Sequence, residues 1–416
     1  MTQSTVHPGV SGYEEGRRAV SAAAGKVLAG HPPAATPVRQ FLGACFDAGL
    51  AWVHFPVGRG GLGVDAGLQD FADGILQGAG GVNPFQLNPI AYGMAGPTVV
   101  AHATEDMKTR LLRPMYTCEH VWCQLFSEPG AGSDLAGLAT RAVSGGADWV
   151  VNGQKIWTSL GHVARWALLL ARTDPDVEKH QGLTYFVLDM RSPGVEVRPL
   201  RQMTGEAEFN EIFLTGVRIP DTQRLGEVGE GWRVAMTTLM NERNAIGAGS
   251  SVRNSGLIRV PLRLWAQRPD LRTPVLQDRL VALFARADAA RLTGDRQRVE
   301  RGGGPIGPEG SAAKLVLSEL GQAIFDFCMD FLGPEATCYS GYDARHEPED
   351  LGGGVKLWTS AAGDEDVQRM FLRSRAYTIE GGTSDILRNI VGERVLGLPG
   401  DLRADRDKPW AEVPRG

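Results

Sequence analysis

The order of local patterns in this chain predicts an α+β fold in separate layers. Helical spacing dominates residues 14–118, strand-length runs between Gly, Pro and Asp breaks fill 119–225, and helical spacing returns after Gly231. Segregated blocks of this kind argue against an alternating βαβ chain. The expected organisation is a helical domain over 1–118, a β domain of antiparallel character over 119–230, a second helical domain over 231–400 and a polar, little-packed tail over 401–416.

Each block rests on particular residues. Val38, Phe41, Leu42, Cys45 and Phe46 recur at three-to-four spacing, as do Leu68, Phe71, Ala72, Ile75 and Leu76 within 66–77. Thr104-Glu105-Asp106 before Met107 reads as a helix start with acids in its first turn. In the central block, residues 148–151 and 155–158 flank Asn152-Gly153, a hairpin signal. Further strands are expected at 167–171, 184–188, 195–199 and 211–217. Helices are expected at 232–248, 275–294, 310–331, 364–378 and 384–396, with loops at 302–305 and 346–354.

Composition narrows the function classes. There are 43 Lys+Arg against 48 Asp+Glu, a net charge of −5, with both signs mixed along the chain. No basic stripe marks a nucleic-acid partner. No apolar run approaches the roughly 20 residues of a membrane helix, and no leader pattern opens the sequence. Five scattered Cys suit reduced thiols. A soluble, cytoplasmic protein is expected.

Two motifs invite over-reading. Gly58-Arg59-Gly60-Gly61-Leu62-Gly63 fits a dinucleotide loop after the strand-like 52–55, but no βαβ alternation follows, so a tight turn is expected. Cys118, His120 and Cys123 lie close together, but no second pair completes a zinc set, so no metal site is expected.

Other motifs carry chemistry. Phe126-Ser127-Glu128-Pro129-Gly130-Ala131-Gly132-Ser133-Asp134 is a Gly-rich turn with hydroxyl and acid groups. Gly153-Gln154-Lys155-Ile156-Trp157-Thr158-Ser159 sets an aromatic and two hydroxyls on a strand. Glu242 falls on the apolar stripe of its helix, between Leu239 and Ile246. A carboxylate there is either ion-paired, with Arg243 the nearest partner, or a base whose pKa burial raises. Glu380-Gly381-Gly382-Thr383-Ser384-Asp385 turns the chain into a capped helix start, where an anion could rest.

In order and spacing, these motifs resemble the acyl-CoA dehydrogenase family over roughly residues 14–400. They are Ser127 to Asp134, Asn152 to Ser159, Asn241-Glu242-Arg243, Gly381 to Ser384 through Arg388-Asn389, and Gly397-Leu398-Pro399. The resemblance implies an N-terminal helical domain, a central β-barrel-like domain and a C-terminal four-helix bundle. It implies FAD held partly by Phe126, Ser127, Trp157, Ser159, Thr383 and Asp385, with Ser133 and Arg243 on the acyl-CoA substrate. It implies α,β-desaturation of an acyl thioester, an electron-transfer flavoprotein as acceptor, and a homo-oligomeric dimer or tetramer. Flavin oxidase or monooxygenase chemistry is the alternative on the same fold. The base matches Glu242, directly before Arg; Glu380 is the alternative, one place before the family's second position, which is Gly381 here. The family's Arg-x-x-Phe-Gly grip on the FAD pyrophosphate is missing from 252–288. Some bacterial relatives divide these roles between two chains, so a heterotetramer with a second subunit is the other expected assembly.

Overall fold

A computed structural model describes residues 8–247, 256–301, 307–338, 349–350, 356–357, 366–400, 405 and 407–413. The first layer holds helices α1 (Pro8–Gly30), α2 (Val38–Asp47), α3 (Gln69–Gly78), α4 (Pro84–Leu87), α5 (Gly96–His102) and α6 (Glu105–Tyr116). The apolar spacing read from the sequence becomes the buried side of α2, Phe41, Leu42, Cys45 and Phe46. Thr104 caps α6, its Oγ1 accepting the Met107 N–H at 3.4 Å, with Glu105 and Asp106 at the positive helix end.

The strand-like 52–55 segment is not a strand. Trp52 is buried and stacks on Phe55 at 4.8 Å and Tyr92 at 5.4 Å, so its bulk serves the helical core. The glycine run that follows is the expected tight turn: a Cβ on Gly61 would lie 2.0 Å from the Phe55 carbonyl oxygen. Cys118 and Cys123 pack in two different cores, and burial pushes both thiols up.

The middle layer is one sheet in the order β6-β7-β3-β2-β4-β5-β8, with β1 beside β4. The strands are β1 (Trp122–Leu125), β2 (Arg141–Ser144), β3 (Asp148–Ser159), β4 (Trp166–Arg172), β5 (Leu183–Asp189), β6 (Val195–Pro199), β7 (Phe209–Pro220) and β8 (Arg224–Leu225). Pairing is mostly antiparallel, but β1 runs parallel to β4, so the sheet is mixed.

The expected hairpin at Asn152-Gly153 does not form, and β3 runs through it. Asn152 Oδ1 instead accepts the Gly216 N–H at 2.8 Å, and the pairing with β7 slips one register there. Gly153 lies so close to Thr140 that an added Cβ would meet its Oγ1 at 2.3 Å. Glycine serves close approach here, not a turn.

Strand β4 is buried along its whole length, and its alternation serves two cores. Leu168 and Leu170 join Tyr185 and Val187 against the helical layer, while Ala167, Leu169 and Ala171 face Ile212 and Leu214 of β7.

The third layer holds α7 (Gly231–Gly247), α8 (Arg259–Gln267), α9 (Pro274–Arg301), α10 (Gly310–Leu332), α11 (Val367–Ser374) and α12 (Ser384–Ile390). Helix α10 is central, packed by the other five around Ile324, Phe325, Phe327 and Phe331. Helix α8 was not expected: Pro261 sits in its first turn, where proline is tolerated, but it masks the periodicity. The loop at 302–305 lies outside the described residues, as does 346–354 apart from residues 349–350.

Residues 407–413 are better packed than the polarity of this stretch suggests. Trp410 N–H donates to the Val177 carbonyl at 2.8 Å, and its ring lies on buried Arg172.

Three layers meet at one hydroxyl chain. Thr238 Oγ1 on α7 lies 2.9 Å from Thr98 Oγ1 on α5 and 2.8 Å from Tyr185 Oη on β5, all in buried surroundings. Tyr185→Phe should cost about 1–2 kcal/mol, the net value of one buried hydrogen bond. Urea unfolding would show the midpoint drop with an unchanged slope; an unaltered midpoint would remove the chain from the stability account.

Candidate active site

The Gly-rich loop 126–134 is anchored from below. Lys155, on the inward register of β3, is wholly buried. Its Nζ donates to the Phe126 carbonyl at 3.0 Å, the Leu170 carbonyl at 2.9 Å and Glu128 Oε1 at 2.8 Å. Glu128 also accepts the N–H groups of Ala139 at 2.7 Å and Thr140 at 2.9 Å. Burial works to raise the Glu128 pKa, but the Lys155 charge and these donors outweigh it and hold the carboxyl below its ordinary value. One ammonium thus ties the loop to two strands.

Above this anchor, β3 changes course. Its pairing with β7 slips between Lys155 and Thr158, and Trp157 takes φ +61°, a region costly for a bulky side chain. The outcome is an indole 59% exposed on a strand whose neighbours Lys155 and Thr158 are buried. Its ring meets Phe209 edge-on at 6.0 Å. The Ile156 N–H donates to the Ser127 carbonyl at 2.9 Å, which sets Ser127 beside this bulge, and Ser159 pairs with Phe209. Phe126 is buried edge-on to Tyr185 at 5.8 Å. Ser127, Trp157 and Ser159 therefore lie along this bulged stretch of β3, with Phe126 beside Ser127 in the core below.

Glu242 stands one turn after Thr238 on α7 and is half-buried. Burial first, and the Glu242 charge after it, push the Tyr185 phenol up. The described side chains exclude those of residues 243–247, so the expected role of Arg243 lies outside them. Lys314 on α10 is buried, its Nζ donating to the Tyr377 and Gly382 carbonyls at 2.9 Å each. Burial lowers its pKa, against the nearby charges of Glu380 and Glu242.

Glu380 has a different setting. Its carboxylate takes both arms of Arg373, at 3.0 and 3.2 Å. Arg373 also reaches Glu208 at 3.2 Å and lies over Phe209 and Tyr377 at 5.5 and 5.8 Å. Burial raises the Glu208 pKa. The two site halves thus join through Arg373 and Phe209, one packed on Glu380 and the other on Trp157. A bidentate guanidinium pair favours a fixed carboxylate.

Gly381 and Gly382 take φ +62° and +97°, a turn that suits glycine. Thr383 Oγ1 then accepts the Ile386 N–H at 3.2 Å, and the buried Ser384 Oγ has no hydrogen-bond partner among the described residues. Helix α12 runs only seven residues before widening into a π turn. Asp385 points to solvent, and Ser133 is exposed on the outer part of the loop, apart from the Trp157 cluster.

Sequence reasoning missed Lys155, Arg373 and Lys314. Lys155 left a signal, since it shares the inward register with Trp149 and Val151. Arg373 and Lys314 left none, because their partners lie far away in sequence.

Two family models account for most of the sheet and the third layer: the acyl-CoA dehydrogenase middle domain matches residues 123–217 and the acyl-CoA dehydrogenase C-terminal domain residues 229–396. The chain belongs to the acyl-CoA dehydrogenase family, whose members are oxidoreductases. It is 40% identical over 370 residues to acyl-CoA dehydrogenase FadE34 of Mycobacterium tuberculosis, covering 88% of this chain but 47% of that protein's length. It is 34% identical to acyl-CoA dehydrogenase IpdE1 of the same organism, covering 86% of each. Among solved structures, the ChsE4-ChsE5 complex from Mycobacterium tuberculosis matches with a TM-score of 0.68 at 26% identity, covering 96% of this chain and all of that one.

Lys155→Met should destabilise by about 3–5 kcal/mol at neutral pH, the usual cost of leaving a buried charge uncompensated. Because the folded Glu128 pKa is depressed, the pair's contribution is present above the ordinary glutamate value of about 4.3 and fades as pH falls through the folded value. The gap between variant and wild type should therefore narrow in acid. Urea midpoints at pH 7 and pH 4 check it, and a gap independent of pH would refute the assignment.

Proposed function

We propose that this chain is an FAD-dependent acyl-CoA dehydrogenase that desaturates an acyl-CoA thioester between its α and β carbons. The observation that carries the reading is Trp157, an exposed indole held by a strand bulge in a strained conformation beside Ser127 and Ser159. Strain of this kind persists where the surroundings over-determine it, and it clusters at ligand sites. A flat apolar ring with hydroxyls near it suits a flavin ring system. The unpartnered Ser384 hydroxyl suits a further polar contact. Thr383 and Asp385 would hold the cofactor from the α12 side, the threonine through the free lone pair and proton of its capping hydroxyl. Bound FAD would supply the acceptor for the β-hydride.

Glu242 takes the substrate α-proton, as a carboxylate on the apolar face of α7 within reach of the site could do. Glu380, clamped by Arg373, organises the turn instead. Ser133 and Arg243 contact the acyl-CoA. An electron-transfer flavoprotein in the cytoplasm would reoxidise the enzyme.

A second reading concerns assembly. No Arg-x-x-Phe-Gly occurs in 252–288, so the adenine half of FAD needs another holder. The similarity to a complex of two named chains supports a heterotetramer in which this subunit gives the base. The other assembly is a homotetramer that grips FAD through different residues.

Stoichiometric FAD released from the chain purified alone, bleached anaerobically by a straight-chain, branched, aromatic or sterol side-chain acyl-CoA, is the expected result for a self-sufficient enzyme. Flavin acquired only on co-expression with a second subunit would select the heteromer. No flavin under either condition would sink the dehydrogenase reading. Glu242→Gln should lower kcat by about 1,000-fold or more with FAD retained, whereas Glu380→Gln should lower it by less than about 10-fold. The opposite ranking would move the base to Glu380.

A further inference from the structure

Asp405 and residues 407–413 lie against the β domain, close to the loop that carries Ser133. The backbone bonds reach the turn after β4: Trp410 N–H donates to the Val177 carbonyl at 2.8 Å and Ala411 N–H to the Pro175 carbonyl at 2.9 Å. The side chain reaches further. Trp410 Nε1 donates to the Gly137 carbonyl at 3.1 Å. Its ring centroid lies 4.2 Å from the Arg172 guanidinium carbon, a cation–π contact.

Arg172 is itself a clamp. It is 1% exposed and donates to the carbonyls of Ala136 at 2.6 Å, Leu138 at 3.1 Å and Lys179 at 3.2 Å. Lys179 Nζ completes the ring, 2.7 Å from Asp134 Oδ1 and 2.5 Å from Asp405 Oδ2. Three consecutive carbonyls, those of Ala136, Gly137 and Leu138, are thus held by Arg172 and Trp410 together. Glu128 holds the N–H groups just beyond, at Ala139 and Thr140. Between these anchors and the Glu128–Ala131 bridge, the loop presents Gly132 and Ser133 outward. A Cβ added at Gly130 or Gly132 would meet nothing within 4 Å, so the approach to this surface is open.

We propose that Trp410 is a positioning residue for the substrate: seated on Arg172 and bonded to Gly137, it fixes the turn after Ser133 against which the pantetheine arm of an acyl-CoA lies. This rests on the acyl-CoA reading above and adds to it a residue from a segment distant in sequence from the site motifs. A loop held by rigid carbonyl anchors loses less freedom when an extended ligand settles on it. The indole therefore acts on binding of the arm and leaves the reacting carbons alone.

The test compares two thioesters on the holoenzyme: an acyl-CoA that the wild type accepts, and its N-acetylcysteamine counterpart, which lacks the nucleotide and most of the pantetheine. Trp410→Ala should raise KM for the acyl-CoA about 10-fold with kcat within about 2-fold, and leave kcat/KM for the short thioester within about 2-fold. Trp410→Phe keeps a ring over Arg172 but loses the Gly137 bond, and should fall between at about 3-fold in KM. Equal loss on both thioesters would mark a general structural role and overturn the proposal, as would no loss on either. Calorimetric binding of CoA to the wild type separates the two levels. Wild type that neither binds CoA nor turns over any acyl-CoA removes the acyl-CoA reading and the Trp410 role together; active wild type with an unaffected Trp410→Ala removes only the latter.

Discussion

The buried ammonium of Lys155 is the interaction on which the site depends. Three acceptors from three places converge on it: the Phe126 carbonyl at the start of the loop, Glu128 inside the loop, and the Leu170 carbonyl in the middle of the most buried strand. An ammonium with three donors and no acceptor is well matched to such a junction. An apolar residue there would leave the carbonyls and the carboxylate without compensation, which is costly in a dry interior. Everything above it inherits this registration. The bulge at Trp157 begins two residues along the same strand, and Ser127 is the residue between the two loop groups that Lys155 holds.

The second half of the site has a comparable centre of charge in a different form. Arg373 is shared by Glu380 and Glu208 and lies over two aromatic rings, so one cation links the Gly-Gly turn to the β domain. Burial alone would make it less basic, but the two carboxylates outweigh this and raise its pKa. Lys314 plays a quieter part, filling the hydrogen-bonding needs of the Tyr377 and Gly382 carbonyls from below. These cations set the two glutamates in different surroundings. Glu380 is held by a fork of Arg373 donors, and Glu242 on α7 interacts electrostatically with Lys314 and Tyr185.

Much of this was legible in the sequence. The order of layers, the caps at Thr104 and Thr383, the tight glycine turn and the length of α10 followed from local patterns. Of the motif residues, Trp157 and Ser159 lie on one stretch of β3 with Ser127 beside it, while Ser133 and Asp385 are exposed elsewhere. Apart from α8, whose proline masked its own periodicity, the errors share a cause, since in each a tertiary contact overrode a local rule. Asn152-Gly153 carries a strong turn signal, but Thr140 and Gly216 offered close approach and a hydrogen bond that carried the strand on through a one-residue slip. The strand-like 52–55 lost its Trp to an aromatic cluster with Phe55, Tyr92 and Tyr116. The polar stretch after 400 found Arg172, a partner more than two hundred residues earlier. Period and propensity report what a segment can do alone, not which distant group waits for it.

The hydroxyl chain through Thr98, Thr238 and Tyr185 has a consequence for motion. It pins the helix that carries Glu242 to both the helical layer and the sheet, one turn from the carboxylate itself. Hinging either domain away from α7 would break buried hydrogen bonds with no water to replace them. If Glu242 is the base of the proposed reaction, the energetically cheap way to admit a substrate is therefore to move surface loops around a stationary carboxylate, and breathing of the whole body is the expensive one. Access and catalysis would then fall to different parts, a rigid frame around α7 and the less buried loops at the surface.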